Sequence, residues 1–526
     1  MAGEPHVDEN VAETSHITLP VGDDEEAHIY DVEKKRAQPN YMEDLSNTQL
    51  RVLTRDYHRR MSRSPPCRKG AIHRLPNEIL CQIFLQTVPI RNGRTFELPK
   101  PTTRDSPISL RRVCRRWRQI VLTSPSQTLW CSLGLTYRKG VPDRIGFVKD
   151  VAAIAEFASR SGNYPLSFSL HYRDRVFSDK IDEERWEAGI HEVVKKIIKH
   201  SHRWTYLDVC LPGSACARIS SIVPWNIPRL QTMIVEPTSS SWELNGSTMD
   251  LPTTQHPLSF DPLIEQSHAN LVTCKLRRLY ISLDAAAWLY MTLTECWWTI
   301  NMCPLLEVLE FPVASAGEWV AFDRVLQAAH LKDFTLFIGQ CAPDPGPLFD
   351  SLSMPALQRL NLTIDDSDNP RQLPELAYFI ERSKPPLKVL RCHRIPSDEQ
   401  DVLECLKVAP CLTTLHIEGI TITDETLRAL TQETAGGMCI NPCLQNISFA
   451  HCIHMSYQAM VPMIMARWMG SDCRSTRALR RLSLIHCGSD LSRSLLRQHV
   501  LARRCIEEGL ILEDQRYDDC ILSSDS

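Results

Sequence analysis

Residues 444–452 read LQNISFAHC, and residues 479–487 read LRRLSLIHC. Both segments place apolar side chains at their first, fourth, sixth and ninth positions. The fourth and sixth positions point to the same face of a β-strand, while the residues that alternate with them point to the opposite face. Each segment is therefore predicted to form a short strand with one buried face and one polar face.

The first part of this pattern, with apolar residues at the first, fourth and sixth positions, recurs along the chain from about residue 230 onward. It occurs nine times, as LQTMIV at 230–235, LRRLYI at 276–281, LEVLEF at 306–311, LKDFTL at 331–336, LQRLNL at 357–362, LKVLRC at 387–392, LTTLHI at 412–417, LQNISF at 444–449 and LRRLSL at 479–484. The first residues are separated by 46, 30, 25, 26, 30, 25, 32 and 35 positions, and most of these intervals fit one strand plus one helix. The recurrence predicts a repeat architecture.

The segments between the strands carry helical patterns of apolar residues. Examples are Leu376, Phe379 and Ile380; Val402, Leu403 and Leu406; and Trp319, Phe322, Val325 and Leu326. Alternating strands and helices predict an α/β solenoid, with parallel strands on its concave face and helices on its convex face. Earlier segments at 130–135, 165–170 and 204–209 offer comparable strands.

The two LxxLxLxxC segments resemble the cysteine-type leucine-rich repeat found behind F-boxes. Other repeats place Ile395, Ile420 or Asp365 at the ninth position instead of cysteine. The array is therefore irregular, and we expect the row of buried side-chain hydrogen bonds at this position to be incomplete. We assign residues 136–515 to a leucine-rich-repeat-like solenoid and residues 516–526 to a polar tail.

Two amphipathic helices are predicted ahead of the repeats, within AIHRLPNEILCQIFLQTVPI at 71–90 and SLRRVCRRWRQIVLTSPSQTLWCSLGL at 109–135. Pro76 suits the first turn of a helix, where its missing N–H is no loss, and the second helix can start at Ser106 and Pro107. The apolar face of the first helix holds Leu75, Ile79, Leu80, Ile83 and Phe84, and that of the second holds Leu110, Val113, Cys114, Trp117, Ile120 and Val121.

In order and spacing, the LPNEIL, IF, VCRRWR and LW segments within residues 71–135 resemble the F-box. The connection at 89–107 is longer than in a compact F-box and resembles the version common in fungal families. The resemblance implies a three-helix module that binds a Skp-type adaptor and so joins a cullin–RING ubiquitin ligase. The adaptor contacts that it implies are Leu75, Pro76, Ile79, Leu80, Ile83, Phe84, Val113, Cys114 and Trp117. Without their order, the same two helices would indicate ordinary core packing.

The polar positions of the repeat strands form a candidate surface for a target protein, because they alternate with the buried positions. The candidates are Arg278, Tyr280, Arg359, Asn361, Arg391, His393, His416 and Arg481. Their excess of Arg and His over acidic residues favours an acidic or phosphorylated partner, against the plain alternative of a solvated face. The polar loop around Trp242 is the second candidate.

The composition is that of a globular chain, with 43% hydrophobic and 23% charged residues. A net charge of −4 argues against a general affinity for nucleic acid or membrane.

Residues 1–70 are expected to form a disordered arm, with an acidic block followed by a basic block. Without a signal-peptide pattern or a long apolar run, we expect a cytosolic or nuclear location and reduced cysteines.

Signatures of catalysis and nucleotide binding are missing from the sequence. Cys439, Cys443, His451 and His454 could be drawn as zinc ligands, but a repeat strand lies between them. We therefore expect no enzyme activity, no cofactor and no metal.

Arginines cluster on the second helix, and such a cluster could contact phosphate. They are Arg111, Arg112, Arg115, Arg116 and Arg118. Trp117, the aromatic residue among them, belongs to the opposite, apolar face. The F-box resemblance thus implies a substrate receptor of a ubiquitin ligase, and the rival interpretations are a repeat scaffold that recruits no ligase and an arginine-mediated binder of nucleic acid.

Overall fold

The computed structural model describes residues 71–88, 97–137, 143–173, 180–220, 227–238, 275–282, 291–313, 319–322, 324–339, 344–364, 374–395, 398–431, 440–469, 479–487, 496 and 498–515. The chain divides into two units, Met1–Pro76 and Asn77–Ser526. In the first unit the described part contains a 3₁₀ helix at Ala71–Arg74. The predicted arm at 1–70, the tail at 516–526 and the loop around Trp242 lie outside the described residues.

The second unit contains a parallel sheet of thirteen strands, whose spatial order is their order in the chain. Its strands are β1 (Ser132–Thr136), β2 (Leu166–His171), β3 (Trp204–Pro212), β4 (Thr232–Thr238), β5 (Arg278–Ile281), β6 (Val308–Val313), β8 (Asp333–Ile338), β10 (Arg359–Ile364), β11 (Val389–His393), β12 (Thr414–Glu418), β13 (Asn446–Ala450), β14 (Arg481–Ile485) and β15 (Ile511–Gln515). A small second sheet pairs β7 (Leu326–Gln327) with β9 (Leu352–Ser353).

Helices supply most of the crossovers that parallel strands require. The α-helices described in this unit are α1 (Asn77–Gln86), α2 (Leu110–Val113), α3 (Arg115–Leu122), α4 (Asp143–Arg160), α5 (Lys180–Ile198), α6 (Gly213–Ser220), α7 (Leu293–Met302), α8 (Gly346–Asp350), α9 (Pro374–Ser383), α10 (Glu399–Val408), α11 (Asp424–Thr431), α12 (Tyr457–Met469) and α13 (Val500–Glu507). None of the described helices is long and apolar enough to cross a bilayer.

All nine strands predicted from the repeat spacing are present, and so are the three earlier ones. The structure adds β15, whose sequence ILEDQ lacks the repeat spacing. The sheet already begins at Ser132, inside the range assigned to the helical module. The fold is therefore mixed α/β with one large parallel sheet, as predicted.

One predicted helix is wrong. Residues 319–322 are not helical, and Leu326 lies in β7. Instead, an apolar side chain of this segment packs on α7. The Phe322 ring stacks on Trp297 of α7, with centroids 3.6 Å apart and planes inclined by 5°. Periodicity alone cannot separate a helical face from a loop that covers a neighbouring helix.

The core of the sheet is a row of apolar side chains in direct register from strand to strand. The row consists of Leu279, Leu309, Phe334, Leu360, Leu390, Leu415, Ile447, Leu482 and Leu512. None of them is more than 7% exposed. Burying a side chain of this size contributes about 1.5–3 kcal/mol, so the row is a major source of stability.

The turn after each of four consecutive strands has the same backbone conformation. Arg394, Gly419, His451 and His486 follow β11 to β14 and all have left-handed φ values, between 51° and 67°. The next residue in each turn is buried: Ile395, Ile420, Cys452 and Cys487. The Cys487 thiol donates to the Phe449 carbonyl oxygen on the preceding strand at 3.1 Å. The ninth position of the repeat thus closes the core at the end of each strand.

Carboxylates at helix starts tie one repeat to the next. The Glu399 carboxylate, at the start of α10, accepts hydrogen bonds from the backbone N–H groups of Thr423 and Thr426, each at 2.9 Å, and from both hydroxyls. Asp424, at the start of α11, accepts from the backbone N–H and the hydroxyl of Ser456, both at 2.7 Å. These bonds satisfy N–H groups that a helix start leaves without intrahelical partners.

The other ends of the helices are closed by donors from the following repeat. The Asn441 amide donates to the carbonyl oxygens of Leu406 and Ala409 at 2.9 and 2.7 Å. The buried Arg467 guanidinium donates to the carbonyl oxygens of Leu430 and Asn441. Both ends of α11 are therefore satisfied by neighbouring repeats.

We expect Glu399→Ala to destabilise the protein by about 1 kcal/mol at pH 7, the usual cost of losing a helix cap. Burial raises the pKa of Glu399, but the hydrogen bonds from Thr423 and Thr426 outweigh burial, and the net pKa is lowered. Because the folded-state pKa lies below the unfolded value, the stabilisation is present above about pH 4.3 and is lost as the pH falls through the folded-state pKa.

Urea unfolding of wild type and variant between pH 7 and pH 3 measures this difference. The difference in unfolding free energy between the two proteins should decrease toward acid pH. Gln400→Ala, on the same helix, is the control and should change stability little at either pH. A difference in unfolding free energy that stays constant down to pH 3 would show that the carboxylate charge does not contribute to stability.

Candidate functional site

The helical module at Asn77–Trp130 buries apolar side chains between its helices and against α4. Leu80 and Phe84 are fully buried on α1, and the Phe84 ring lies 4.7 Å from that of Trp117 on α3. The Trp130 indole N–H donates to the Val121 carbonyl oxygen at 3.0 Å. Leu80 and Phe84, predicted as adaptor contacts, therefore pack inside the module.

Other predicted contact residues are exposed. Ile79 and Ile83 lie one turn apart on α1 and are 46% and 39% exposed, and Val113 on α2 is 58% exposed. Cys114 and Trp117 are half-buried. In the first unit, Leu75 is half-buried and Pro76 is exposed. The accessible apolar surface of α1 and α2 thus comes from Ile79, Ile83 and Val113.

The second predicted helix is broken, contrary to the prediction of one continuous helix from Ser106. Residues 106–109 form turns, and Cys114 is extended, with φ −157° and ψ 171°, between α2 and α3. The Cys114 sulfur accepts a hydrogen bond from the Trp117 backbone N–H at 3.5 Å and so caps α3. Apolar spacing continues across the break, which is why the sequence pattern does not reveal it.

Several arginines of this module already have partners within the chain. Arg111 forms an ion pair with Glu156 at 2.8 Å and lies over the Trp130 ring, 5.7 Å from its centroid. Arg116 donates to the Asn77 side-chain oxygen, and Arg118 to the Arg111 carbonyl oxygen. These contacts weaken the interpretation of the arginine cluster as a phosphate-binding surface.

The sheet has a polar face, defined as the side chains that alternate with the buried apolar rows on β5 to β15. All of the predicted target-binding residues lie on it. They form three rows and not one: Arg278, Arg359 and Arg481 in the first; Tyr280, Asn361, Arg391 and His416 in the second; and His393 in the third. Arg359 and Arg391 are therefore offset by two residues along the strands.

Neighbouring strands supply partners for several of these side chains. Arg359 forms an ion pair with Asp333 at 2.8 Å, and Arg481 lies 3.6 Å from Glu513. The Asn361 amide donates to the Thr335 hydroxyl at 2.9 Å. Part of the positive charge expected from the sequence is thus balanced by acids on adjacent strands. Arg391 is exposed.

Three side chains of β11 and β12 form what we call the His–Glu cluster: His393, His416 and Glu418. The His393 Nδ1 lies 2.9 Å from Glu418 Oε2, and the His416 Nε2 lies 3.6 Å from the same oxygen. The two imidazole rings are 4.6 Å apart. Because β11 and β12 are in register, His393 is paired directly with Glu418, and His416 is two residues before it.

Charges within the cluster shift its pKa values. Burial lowers the pKa of His416, and the neighbouring His393 lowers it further. Burial raises the pKa of Glu418, but the hydrogen bond with His393 and the charge of both histidines outweigh burial and lower the net pKa. At neutral pH, His416 is therefore uncharged and Glu418 is ionised.

An open depression of about 500 Å³ lies beside this cluster. Its walls include Arg391, His393, His416, Asn446, Ser448 and Arg481. It extends from the second row of the polar face to the His–Glu cluster. Its lining offers both hydrogen-bond donors and acceptors. The depression is large enough for a side chain or a small polar ligand.

A second polar cluster lies on β2 and β3. The His171 Nε2 is 3.1 Å from Asp208 Oδ2, and the hydroxyls of Ser169 and Tyr206 approach the same oxygen at 3.3 and 3.4 Å. A serine nucleophile requires contact with the histidine, whereas here both groups meet the carboxylate. This arrangement does not match a hydrolase triad.

The buried thiols are poor nucleophiles. Burial raises the pKa of Cys392 to about 12. Burial, with a smaller contribution from Glu236, also raises the pKa of Cys210 to about 12. Since the thiolate is the reactive form, neither cysteine is reactive at neutral pH.

We expect Phe84→Ala to destabilise α1 by about 3–5 kcal/mol, because it removes a fully buried ring. Trp117→Ala should cost less, since that side chain is half-buried. Hydrogen exchange of the α1 amides measures both effects, with Gln82→Ala on the same helix as the exposed control. Equal loss of protection in Phe84→Ala and Gln82→Ala would contradict the assignment of Phe84 to the core.

The chain has been compared with known proteins. No protein-family model matches it, and no curated protein matches it significantly. The assignment of a function therefore depends on the motifs and on the geometry of the helical module and the polar face.

Proposed function

We propose that this chain is the substrate-recognition subunit of an SCF-type cullin–RING ubiquitin ligase. In this proposal the helical module binds a Skp-type adaptor and the polar face binds a target protein. Other subunits transfer the ubiquitin, so this chain contributes proximity and no chemistry. A cytosolic or nuclear location is part of the proposal. The observation that carries it is an F-box-like order of motifs combined with apolar side chains that the module leaves exposed.

The exposed side chains of α1 are suited to docking. Ile79 and Ile83 share one side of the helix, while Leu80 and Phe84 are buried, with the Phe84 ring against Trp117 of α3. A single exposed apolar residue is ordinary on a protein surface, but two on one short helix form a contact surface. Because these side chains are 46% and 39% exposed, covering them contributes less than half of the roughly 1.5–3 kcal/mol that full burial of each would give, which adds to the contacts of a partner helix.

Replacement of Ile79 and Ile83 by Glu tests adaptor binding. The double variant should lose co-purification with a Skp-type adaptor, because docking would bury two unpaired charges. The matched control is Ile145→Glu with Val148→Glu on α4, where the side chains are 48% and 64% exposed. It should retain the adaptor, and both double variants should unfold at the wild-type temperature.

Adaptor capture by the Ile79 and Ile83 variant at the wild-type level would contradict the docking surface. If the wild-type protein itself captures no adaptor, the chain is a repeat scaffold that does not recruit a ligase.

Substitution of Arg359 and Arg391 tests target binding. Both are exposed on adjacent strands, β10 and β11, and a guanidinium can hold a carboxylate or phosphate through two parallel hydrogen bonds. The double Ala variant should lose target proteins from an affinity purification quantified by mass spectrometry, while adaptor capture stays unchanged. Arg185→Ala, exposed on α5, is the control. Retention of every partner by the double variant would place target recognition elsewhere.

A further inference from the structure

Among the described residues, the His–Glu cluster is the group in which three metal-ligating side chains approach one another closely. One ligand atom from each of His393, His416 and Glu418 lies within 4.8 Å of the other two. We propose that these three side chains bind a zinc ion, with an open coordination position toward the adjacent depression. From the sequence we expected no metal; the three ligands are separated by 23 and by 2 positions in the chain.

The donor set fits zinc. Two imidazole nitrogens and one carboxylate oxygen are the protein ligands of many sites with an open position, whereas Mg²⁺ and Ca²⁺ prefer oxygen alone. Tetrahedral zinc with bonds of about 2.0–2.2 Å separates its donor atoms by roughly 3.3–3.6 Å. The distances from Glu418 Oε2 to the two histidine nitrogens are 2.9 and 3.6 Å, so small rotamer changes would complete the site.

The His416 Nε2 gives an independent reason to expect a ligand. This nitrogen is enclosed and has no hydrogen-bond partner. Its 3.6 Å separation from Glu418 Oε2 is too long for a hydrogen bond. An unsatisfied polar atom costs free energy, and a metal ion between His416 and Glu418 would remove that cost.

Strand backbones hold the three ligands, and such elements position ligands more accurately than loops do. His393 and Glu418 are direct register partners, and His416 projects from the same face of β12 as Glu418. The depression borders both histidines and leaves a route for an ion and for a fourth ligand. A carboxylate of a bound protein could take that position.

Arg391 opposes the metal. It is the register partner of His416, and it borders the same depression as both histidines. Its positive charge would repel a zinc ion bound there. Removal of this charge should therefore strengthen zinc binding, although the same substitution is expected to weaken binding of an acidic target.

Zinc titration of the chelator-stripped full-length protein tests the site, with bound metal and melting temperature as readouts. Wild type should bind one zinc ion more than His393→Asn, His416→Asn or Glu418→Gln, and Arg391→Ala should bind zinc more tightly than wild type. Each ligand variant should lose more than the roughly 10–100-fold in affinity that loss of an outer hydrogen-bond partner costs. Mg²⁺ should not raise the melting temperature.

The matched control is His451→Asn with His486→Asn. These rings are 5.0 Å apart, close to the 4.6 Å of the proposed pair, and both residues have positive φ, which Asn tolerates. The control should bind as much zinc as wild type. It also accounts for ions held by the chain's 20 cysteines, because those thiols are the same in every variant.

Equal zinc binding by wild type and all three ligand variants would overturn the proposal, and so would wild-type binding that the control abolishes. If a histidine variant fails to fold, Glu418→Gln, which keeps the shape of the side chain, decides the question. Stabilisation by inorganic phosphate but not by zinc, lost in Arg391→Ala, would instead identify an anion site and also overturn it. Adaptor capture should be unaffected by zinc, so failure here is distinct from failure of the proposed function.

Discussion

The rest of the structure depends on the direct register between consecutive parallel strands. The register places Leu360 beside Leu390 and Leu390 beside Leu415, so that one apolar row runs through the sheet. A shift of one residue would turn every one of these side chains to the other face, at a cost of about 1.5–3 kcal/mol for each. The same register therefore decides which side chains meet on the polar face.

Contacts between neighbouring repeats complete the helices. A short helix leaves four N–H groups and four carbonyl groups without intrahelical partners. Here Glu399 binds N–H groups at the start of α11, and Asn441 binds carbonyl groups at the end of α10. Since neighbouring repeats satisfy each other's polar groups, the helices depend on the array and not on their own propensity.

The chain combines two surfaces of opposite character. The helical module exposes Ile79 and Ile83, which suit a partner with an apolar face. The polar face carries Arg391 beside the His–Glu cluster, where positive charge, neutral imidazole and carboxylate lie within one region. Apolar and polar surfaces of this kind can bind different partners at the same time, as the proposed receptor function requires.

The local sequence was sufficient to predict twelve of the thirteen strands of the large sheet and the identity of their buried rows. The spacing of Leu444, Ile447 and Phe449 marks a strand with one apolar face, because strand side chains alternate. It was also sufficient to place Arg391 and His416 on the opposite face. The helical assignment of residues 319–322 failed, because the same spacing arises when Phe322 packs on Trp297.

Only the tertiary structure decided which of these side chains are neighbours. The sequence placed His393 and His416 on the polar face, but their distance from Glu418 depends on strand pairing and side-chain rotamers. Similarly, the apolar pattern of α1 contains Ile79 and Leu80 alike, and only packing against α3 separates the exposed residue from the buried one. Periodicity reports the orientation of a residue relative to its own backbone, whereas a binding site depends on distances between segments that are far apart in the chain.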